Sequence, residues 1–376
     1  ALLKNIDKVI SHAAEIPVRI ADDPLTCVVR GTGFLLDNID LLKNIALPPR
    51  AHSIQLLDGM RSKKGIFKLD ANEAVIPPSP KVIAAIRSSL KEKNNLNWYP
   101  NPKADKLRRE IARYVHAKPE QILPTNGSEQ ALEFLANAYA QEGDEVVVPT
   151  PTFSPFTAWP LSRGAKIVEV LYDIHSGPIV HAIRKKVTRK TKIIYLVNPY
   201  IADYREKDIE RIVQENKYAL VIVDEAYHEY YGKTSANLVR RFDNIVITRT
   251  LSKTFMLAGL RLGFIVAQKE IIDTVSKIIG LYNVNALTHV AGIAALRDAQ
   301  YTRSYASEVN ASIKLLAREL PKLNFEVMQT YAGFILFRHK HINPKTVQKK
   351  LETHGIFVRY PFLKELPSYL RMNAGN

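Results

Sequence analysis

Along most of this chain the spacing of hydrophobic positions switches repeatedly between a helical period of about 3.6 and a strand period of about 2. From Phe67 onward the switching is regular. SPKVIAAIRSSLKEK, entered through Ser79 and Pro80, then KADKLRREIARYVH and EQALEFLANAYA carry apolar residues at helical spacing. DEVVVP, AKIVEV, KIIYLV, ALVIVD and NIVITR are short β-branched runs separated by helical segments. That order predicts an α/β fold, with βα repetition and a mostly parallel sheet covered by helices on both faces. Ala286 to Leu320 reads as one or two helices. NFEVMQT and GFILFRH read as antiparallel strands of a smaller α+β domain, with a helix at PKTVQKKLETH and a strand at GIFVRY. The expected division is residues 99–299 for a large domain, with 67–98 and 300–376 together forming a small one.

The beginning of the chain has another character. ALLKNIDKVISHAAEI is helical in period, IPVRIA reads as a short strand, and DPLTCVVRGTGFLLDNIDLLKNI reads as a helix capped at Asp23 and Pro24, followed by another. Residues 46–66 are a Pro-, Ser- and Lys-containing linker of weak periodicity, which predicts a boundary there. ALLKNID and IPVRIADDPLTCVVRGTGFLLDNID are similar to the C-terminal end of the MreB family of actin-like rod-shape proteins. The resemblance covers residues 1–45, and the nucleotide-binding parts of an actin fold are absent from it. A segment of about forty residues cannot bury a core of its own. The chain also starts at Ala1 and stops at SYLRMNAGN without a closing helix. These features predict an appended actin-like fragment, from a fusion or a neighbouring reading frame, with no independent activity.

Composition narrows the function classes. With 376 residues, 46% hydrophobic and 24% charged, the chain has material for two domains of a soluble globular protein. No uncharged apolar run approaches the roughly eighteen residues of a membrane span, and the N-terminus lacks a signal-peptide pattern. The single cysteine, Cys27, excludes an intrachain disulfide framework and fits a cytoplasmic location. The net charge of +16 raises nucleic acid as a partner. The basic clusters are short, as in Arg184-Lys185-Lys186 and Arg189-Lys190, and alternate with apolar residues, which fits a solvated face. No nucleic-acid-binding module is recognisable. A basic field of this kind helps to attract anionic ligands.

Three segments carry candidate chemistry. In TNGSEQALEF, Gly127 and Ser128 stand at a turn entering a helix, where free N–H groups and the helix dipole suit a phosphate. A plain N-cap gives the same pattern. ALVIVDEAYHEY ends an apolar strand at Asp224 and Glu225, the end of a parallel strand at which ligands collect. An acidic cap on the following turn reads the same way. NIVITRTLSKTFMLAGLRLGF leads a strand into a Thr/Ser-rich turn holding Lys253, with Arg261 eight positions later (261 − 253 = 8). A lysine desolvated there loses its proton readily and suits imine formation with an aldehyde.

SKTFMLAGLRLGF resembles the lysine motif of class I/II aminotransferases, and more closely that of the histidinol-phosphate aminotransferases. LDANEAVIPPSPKV, NWYPNP, TNGSEQALE, VPTPTFSPF, VNPY, VDEAYHEYYG, YNVNAL and YLRMNAG follow the family's order from about Leu69 to Met372. The resemblance implies a fold-type-I transferase dependent on pyridoxal 5'-phosphate, acting as a homodimer on small amino acid and 2-oxo acid or phosphate-ester substrates. Lys253 would carry the cofactor and shuttle a proton, and Asp224 would pair with the protonated ring nitrogen. Asn198 and Tyr227 would hydrogen-bond the ring's phenolate oxygen, and Phe153 would stack on the ring. Gly127, Ser128, Ser252 and Arg261 would hold the phosphate, with Glu129 and Thr250 beside them. Tyr99 matches a tyrosine that reaches the phosphate from the partner subunit. Arg371 would grip the substrate carboxylate, Arg359 a substrate phosphate, and Asn72 lies in the substrate segment. No metal site is implied.

The implied reaction is transamination, with imidazole-acetol phosphate and glutamate as the first substrate pair, in histidine biosynthesis. Aromatic aminotransferases and a phosphothreonine decarboxylase share much of the scaffold and stay open, as does an inactive fusion. The chain departs from the family pattern in three places. VNPYIADYREKDIE is shorter than the usual Asn-Pro loop and lacks Pro-Thr-Gly, Met256 stands where glycine or alanine is commoner, and NEAVIPPSP replaces the usual Asn-Glu-Asn-Pro segment.

Overall fold

The computed structural model describes residues 66–175, 180–361 and 363–374; the MreB-like stretch and most of the linker lie outside the described residues. Twelve strands are described: β1 (Phe67–Lys68), β2 (Ile122–Asn126), β3 (Glu145–Thr150), β4 (Lys166–Leu171), β5 (Thr191–Val197), β6 (Leu220–Asp224), β7 (Ile245–Thr250), β8 (Leu262–Val266), β9 (Phe325–Gln329), β10 (Phe334–His339), β11 (Ile356–Phe357) and β12 (Leu370–Asn373). Seven of them form one sheet in the order β2-β8-β7-β6-β5-β3-β4. β8 runs antiparallel to both β2 and β7, and the other neighbours pair in parallel, so the sheet is mostly parallel as the periodicity predicts.

The central strands β5, β6 and β7 carry unbroken apolar runs at 193–197, 220–223 and 245–247 because both faces are covered, which is the burial regime of a parallel sheet. Ile194, Leu196, Val221, Val223, Ile245 and Ile247 point into one core cluster. Ile193, Tyr195, Ile222 and Val246 point into the other, against α3 (Gly127–Tyr139) and its Ala131, Leu132 and Leu135. The first face packs on α2 (Asp105–Val115), whose Leu107, Ile111 and Val115 recur at helical spacing. The helix α1 (Pro80–Ser89) begins as predicted, with Ser79 as N-cap accepting the Lys81 N–H at 3.1 Å and Pro80 in the first turn.

Residues 286–319 form two helices, α4 (Ala286–Arg297) and α5 (Ala299–Glu319). The break is Asp298, whose carboxylate takes the Ser79 hydroxyl at 2.5 Å and the Lys81 ammonium at 2.7 Å while its backbone leaves helical geometry. β9, β10 and β12 form an antiparallel sheet, and α6 (Pro344–Thr353) precedes β11. The start and end of the described chain are interleaved. β1 pairs in parallel with β11, the Leu69 N–H donates to Phe357 O at 2.9 Å, and the Asn373 N–H donates to Leu69 O at 3.0 Å.

Candidate active site

Four strand ends and one helix start meet where the sequence placed its candidate chemistry. The hairpin-like pairing of β7 with β8 sets Thr250 opposite Gly263, so the turn between them carries Ser252, Lys253 and Arg261 at the C-terminal edge of the parallel strands. β8 also pairs with β2, which sets Gly263 opposite Thr125 and brings the turn under the start of α3. A Cβ on Gly263 would stand 2.2 Å from the Gly127 carbonyl carbon and 2.3 Å from the Ser128 nitrogen, so only glycine permits this approach. Gly127 has φ +79°, which favours glycine, and a Cβ there would meet an Arg261 guanidinium nitrogen at 2.8 Å.

The result is a shallow cradle. The N–H groups of the first turn of α3 have no helical partner by construction and point toward it. Ser252 is buried, its N–H held by Thr250 Oγ1 at 3.1 Å and its hydroxyl taking the Thr250 hydroxyl at 2.9 Å. Arg261 leans over Gly127 and faces Glu129 at 3.5 Å, with both side chains nearly half exposed. A rim pair of that exposure contributes little to stability and can be exchanged for a stronger anion.

Lys253 is half-buried as a residue, but its ammonium end is enclosed. It lies 5.8 Å from the centroid of the Tyr227 ring, and among the described residues no hydrogen bond or ion pair holds it. Loss of solvation pulls its pKa down to about 8. The positive charges of Arg371, Arg261 and Lys68 push the same way, and Glu73 opposes them. Met256, three residues on, has φ +56° and donates its N–H to Lys253 O at 3.1 Å. The usual glycine or alanine relieves or lessens that left-handed strain, and here the methionine side chain is buried among the apolar residues of β10 and β12.

Asp224 ends β6 with 3% of its surface exposed. Oδ1 accepts the Thr248 hydroxyl at 3.1 Å and the Ala226 N–H at 3.2 Å, and Oδ2 accepts the Tyr195 hydroxyl at 3.1 Å. Among the described residues no cation pairs with it. Burial raises its pKa to about 6, against the three donors, which lower it, with Glu225 adding to the rise. Glu225 itself turns to the opposite face and pairs with buried Arg249 at 2.8 Å.

Tyr227 is buried and its hydroxyl accepts the Asn72 amide at 3.0 Å, across 155 positions of sequence. Asn72 Oδ1 is buried without a hydrogen-bond partner. Arg371, on β12, donates to Asp70 O and lies 5.7 Å from the Phe334 ring centroid. Arg359 and Arg371 exchange both backbone hydrogen bonds, at 2.9 and 3.0 Å, which sets the two guanidinium side chains on the same face. Phe153 is half-buried beside the apolar cluster of α3.

Two predicted residues have their side chains engaged elsewhere, although the Asn198 N–H donates to Asp224 O at 2.9 Å. Asn198 spends both ends of its amide on one neighbour, accepting the Tyr204 N–H at 2.9 Å and donating to Tyr204 O at 3.2 Å. The short 199–204 loop is tied by that pair, and its Tyr200 packs 6.2 Å from the Tyr227 ring. Tyr99 is 79% exposed and stacks on Tyr282 at 4.2 Å, beside exposed Leu96, Trp98 and Leu281. Sequence reasoning missed Tyr195 and Thr248. Both have the strand parity of Asp224, and a hydroxyl inside the apolar run IIYLV was the available signal.

A family model described as "Aminotransferase class I and II" matches residues 64–376. Residues 1–44, outside the described residues, match a model described as "MreB/Mbl protein". The chain is 33% identical over 318 residues to the histidinol-phosphate aminotransferase of Caldanaerobacter subterraneus subsp. tengcongensis, covering 82% of this chain and 89% of that one. Its fold is similar to a crystal structure of the Sinorhizobium meliloti histidinol-phosphate aminotransferase in complex with pyridoxal-5'-phosphate, with TM-score 0.78, 21% identity and coverage of 89% and 92%. It is similar as well to a double mutant of Thermus thermophilus aspartate aminotransferase, with TM-score 0.74, 21% identity and coverage of 88% and 94%.

Proposed function

The chain belongs to the class I and II aminotransferases, and from that premise we propose that it is a pyridoxal-phosphate-dependent transaminase acting on histidinol phosphate and its 2-oxo counterpart, with glutamate as the partner amino acid. The substrate assignment is supported by the relative named above and by the paired Arg359 and Arg371. The observation that carries the cofactor assignment is the contrast between an enclosed, hydrogen-bond-free lysine and a buried carboxylate without a cation.

The residues fit the cofactor at each end. The Gly127–Gly263 approach, the first turn of α3, Ser252 and Arg261 form a donor set suited to a phosphate dianion. Asp224, held by neutral donors alone, suits a protonated pyridine nitrogen, whose charge would bring its pKa back down. Tyr227 is the better candidate for the ring's phenolate oxygen, because its hydroxyl accepts from Asn72 and keeps its own proton to donate, whereas the Asn198 amide is tied to Tyr204 at both ends. Phe153 is read as the ring's stacking partner. When bound, pyridoxal phosphate supplies an electron sink for the pair left on the substrate's α-carbon.

The protein's own groups do the rest. Lys253 Nζ would be the attachment point and, freed from it, would take the proton from the α-carbon and return it elsewhere; in the ligand-free protein its pKa of about 8 leaves the amine basic, with a neutral share that grows as pH rises through 8. Arg371 holds the substrate carboxylate and thereby aims the α-hydrogen at Lys253. Arg359, beside it, holds the substrate's phosphate. Asn72 fixes the Tyr227 hydroxyl. Residues 99–299 are read as the part that binds the cofactor, and 67–98 with 300–376 as the part that closes the substrate side.

The exposed aromatic patch of Trp98, Tyr99 and Tyr282 supports a homodimer in which Tyr99 serves the partner's phosphate site. Among the described residues no helix is long and apolar enough to cross a membrane. A cytoplasmic location accords with the single cysteine. The test is absorption spectroscopy with pyridoxal phosphate, followed by glutamate half-reactions with imidazole-acetol phosphate and with aromatic oxo acids. A visible band removed by borohydride and missing in Lys253→Ala, with preference for the phosphorylated acceptor, is the expected result. A folded protein that stays colourless refutes the reading.

A further inference from the structure

We propose that Tyr195 is a positioning residue for the cofactor's ring nitrogen, its hydroxyl fixing Asp224 in the ionised, correctly aimed form that pairs with that nitrogen. The proposal rests on the pyridoxal-phosphate reading above and extends it to a residue that acts through Asp224.

The geometry leaves little alternative for this hydroxyl. Tyr195 has no exposed surface, and its ring stacks on Phe156 with centroids 3.9 Å apart and planes 19° from parallel. Phe156 is in turn held edge-on by Trp159 at 6.3 Å. A ring bedded in this way cannot swing its hydroxyl elsewhere, and the hydroxyl meets Asp224 Oδ2 at 3.1 Å. On the other oxygen, Thr248 and Ala226 supply two donors. Each carboxylate oxygen offers about two acceptor positions. Oδ1 is therefore filled and Oδ2 keeps one, which matches the single N–H of a protonated pyridine.

The residue is placed for this purpose by register. β5 and β6 pair Tyr195 with Ile222, two residues before Asp224 on the same face. Within the run IIYLV an apolar residue would fill the same space without having to satisfy a buried hydroxyl. A donor to a carboxylate favours its ionised form and so opposes the burial that works against it.

Tyr195→Phe keeps the ring and its bed and deletes only the hydroxyl. Dissociation constants are measured for pyridoxal phosphate and for its 1-deaza analogue, in which carbon replaces the ring nitrogen and the aldehyde and phosphate are kept. The parent should prefer pyridoxal phosphate. The variant should lose about tenfold in affinity for it, the scale of a hydrogen bond to a charged group, and bind the analogue unchanged. Equal weakening toward both ligands, or an unchanged preference, overturns the proposal and leaves Tyr195 as packing. A parent that captures neither ligand refutes the cofactor reading, and the proposal with it. Thermal denaturation of the cofactor-free proteins establishes that the variant folds; Tyr195→Met, which also removes the donor, carries the same comparison if the Phe variant does not.

Discussion

Asp224 and Glu225 are neighbours in sequence, are both almost fully buried, and face opposite sides of the central sheet. On the Glu225 side the carboxylate receives Arg249 through Nε at 2.9 Å, the Thr234 hydroxyl at 2.8 Å and the Ser235 N–H at 2.6 Å. Arg249 also reaches the Tyr114 ring, and the Tyr114 hydroxyl donates to Glu229, which accepts Thr254 as well. On the Asp224 side there are three neutral donors and, among the described residues, no cation. Burial alone therefore does not distinguish a carboxylate paired within the fold from one left without a counter-charge. The mark is a charge supplied with hydrogen bonds but not with its counter-charge, so that a ligand completes it.

If the two faces divide in this way, changes on the Lys253 side should reach chemistry and changes on the Glu225 side should reach stability. The largest effect is expected from Lys253→Ala. Transamination should fall by at least about 10³-fold, while the thermal midpoint of the cofactor-free protein holds or rises, because an enclosed basic group among positive charges has been removed. Steady-state kinetics and calorimetry check the two halves.

The sharpest contrast is between two isosteric changes. Asp224→Asn should lower kcat/KM by at least about 10²-fold and yet stabilise the cofactor-free protein near pH 8. The sign follows from the raised pKa. Folded Asp224 binds its proton more tightly than the unfolded chain, so its contribution is fully present below about pH 4 and is lost as pH rises through about 6. Glu225→Gln should do the reverse, costing roughly 3–5 kcal/mol by leaving Arg249 buried without its counter-charge, with activity per folded molecule changed little. Urea denaturation beside kinetics measures both, and similar effects from the two variants would break the comparison.

Arg371→Lys tests the proposed substrate side of the Lys253 face. Loss of the planar fork should raise the KM for glutamate by about 10- to 100-fold, with a smaller change in kcat. The smallest effect is one of pH. Lys253 must be neutral to capture an aldehyde, so the rate of pyridoxal-phosphate capture by the cofactor-free protein should rise about tenfold from pH 7 to pH 9, with a midpoint near the pKa of about 8. A rise of about a hundredfold over the same range, measured by stopped-flow absorbance, would show that neither burial nor the charges of Arg371, Arg261 and Lys68 lower the pKa of that amine.

The sequence announced most of this sheet because fully covered parallel strands are uninterrupted apolar runs. β3, β5, β6 and β7 were visible for that reason, and the partly covered edge strand β4 by its β-branched residues. β2 and β8 were not: β2 carries Pro124 and leads straight into a helix, and β8 lies within a motif read for its lysine and arginine. The antiparallel direction of β8 follows from the tight 251–261 turn and has no pattern of its own. Lys253 and Asp224 stood at strand ends, where parallel sheets expose chemistry, but the resemblance of the surrounding motifs to the aminotransferases is what singled them out. The engagement of Asn198 with Tyr204 was not, since it depends on how the 199–204 loop closes in space. The break at Asp298 was equally hidden, because Ser79 and Lys81 hold it from more than two hundred positions away.

The interleaving of β1 with β11, and of Leu69 with Asn373, bears on how the molecule is made. A ribosome delivers β2 to β8, with Lys253 and Asp224, well before Arg359 and Arg371 emerge. The N-terminal segment of the enzyme must then wait as an open edge for the last residues of the chain. On the roles proposed for these residues, the groups assigned to the cofactor are made before the two arginines assigned to the substrate, so synthesis delivers the two sets in that order.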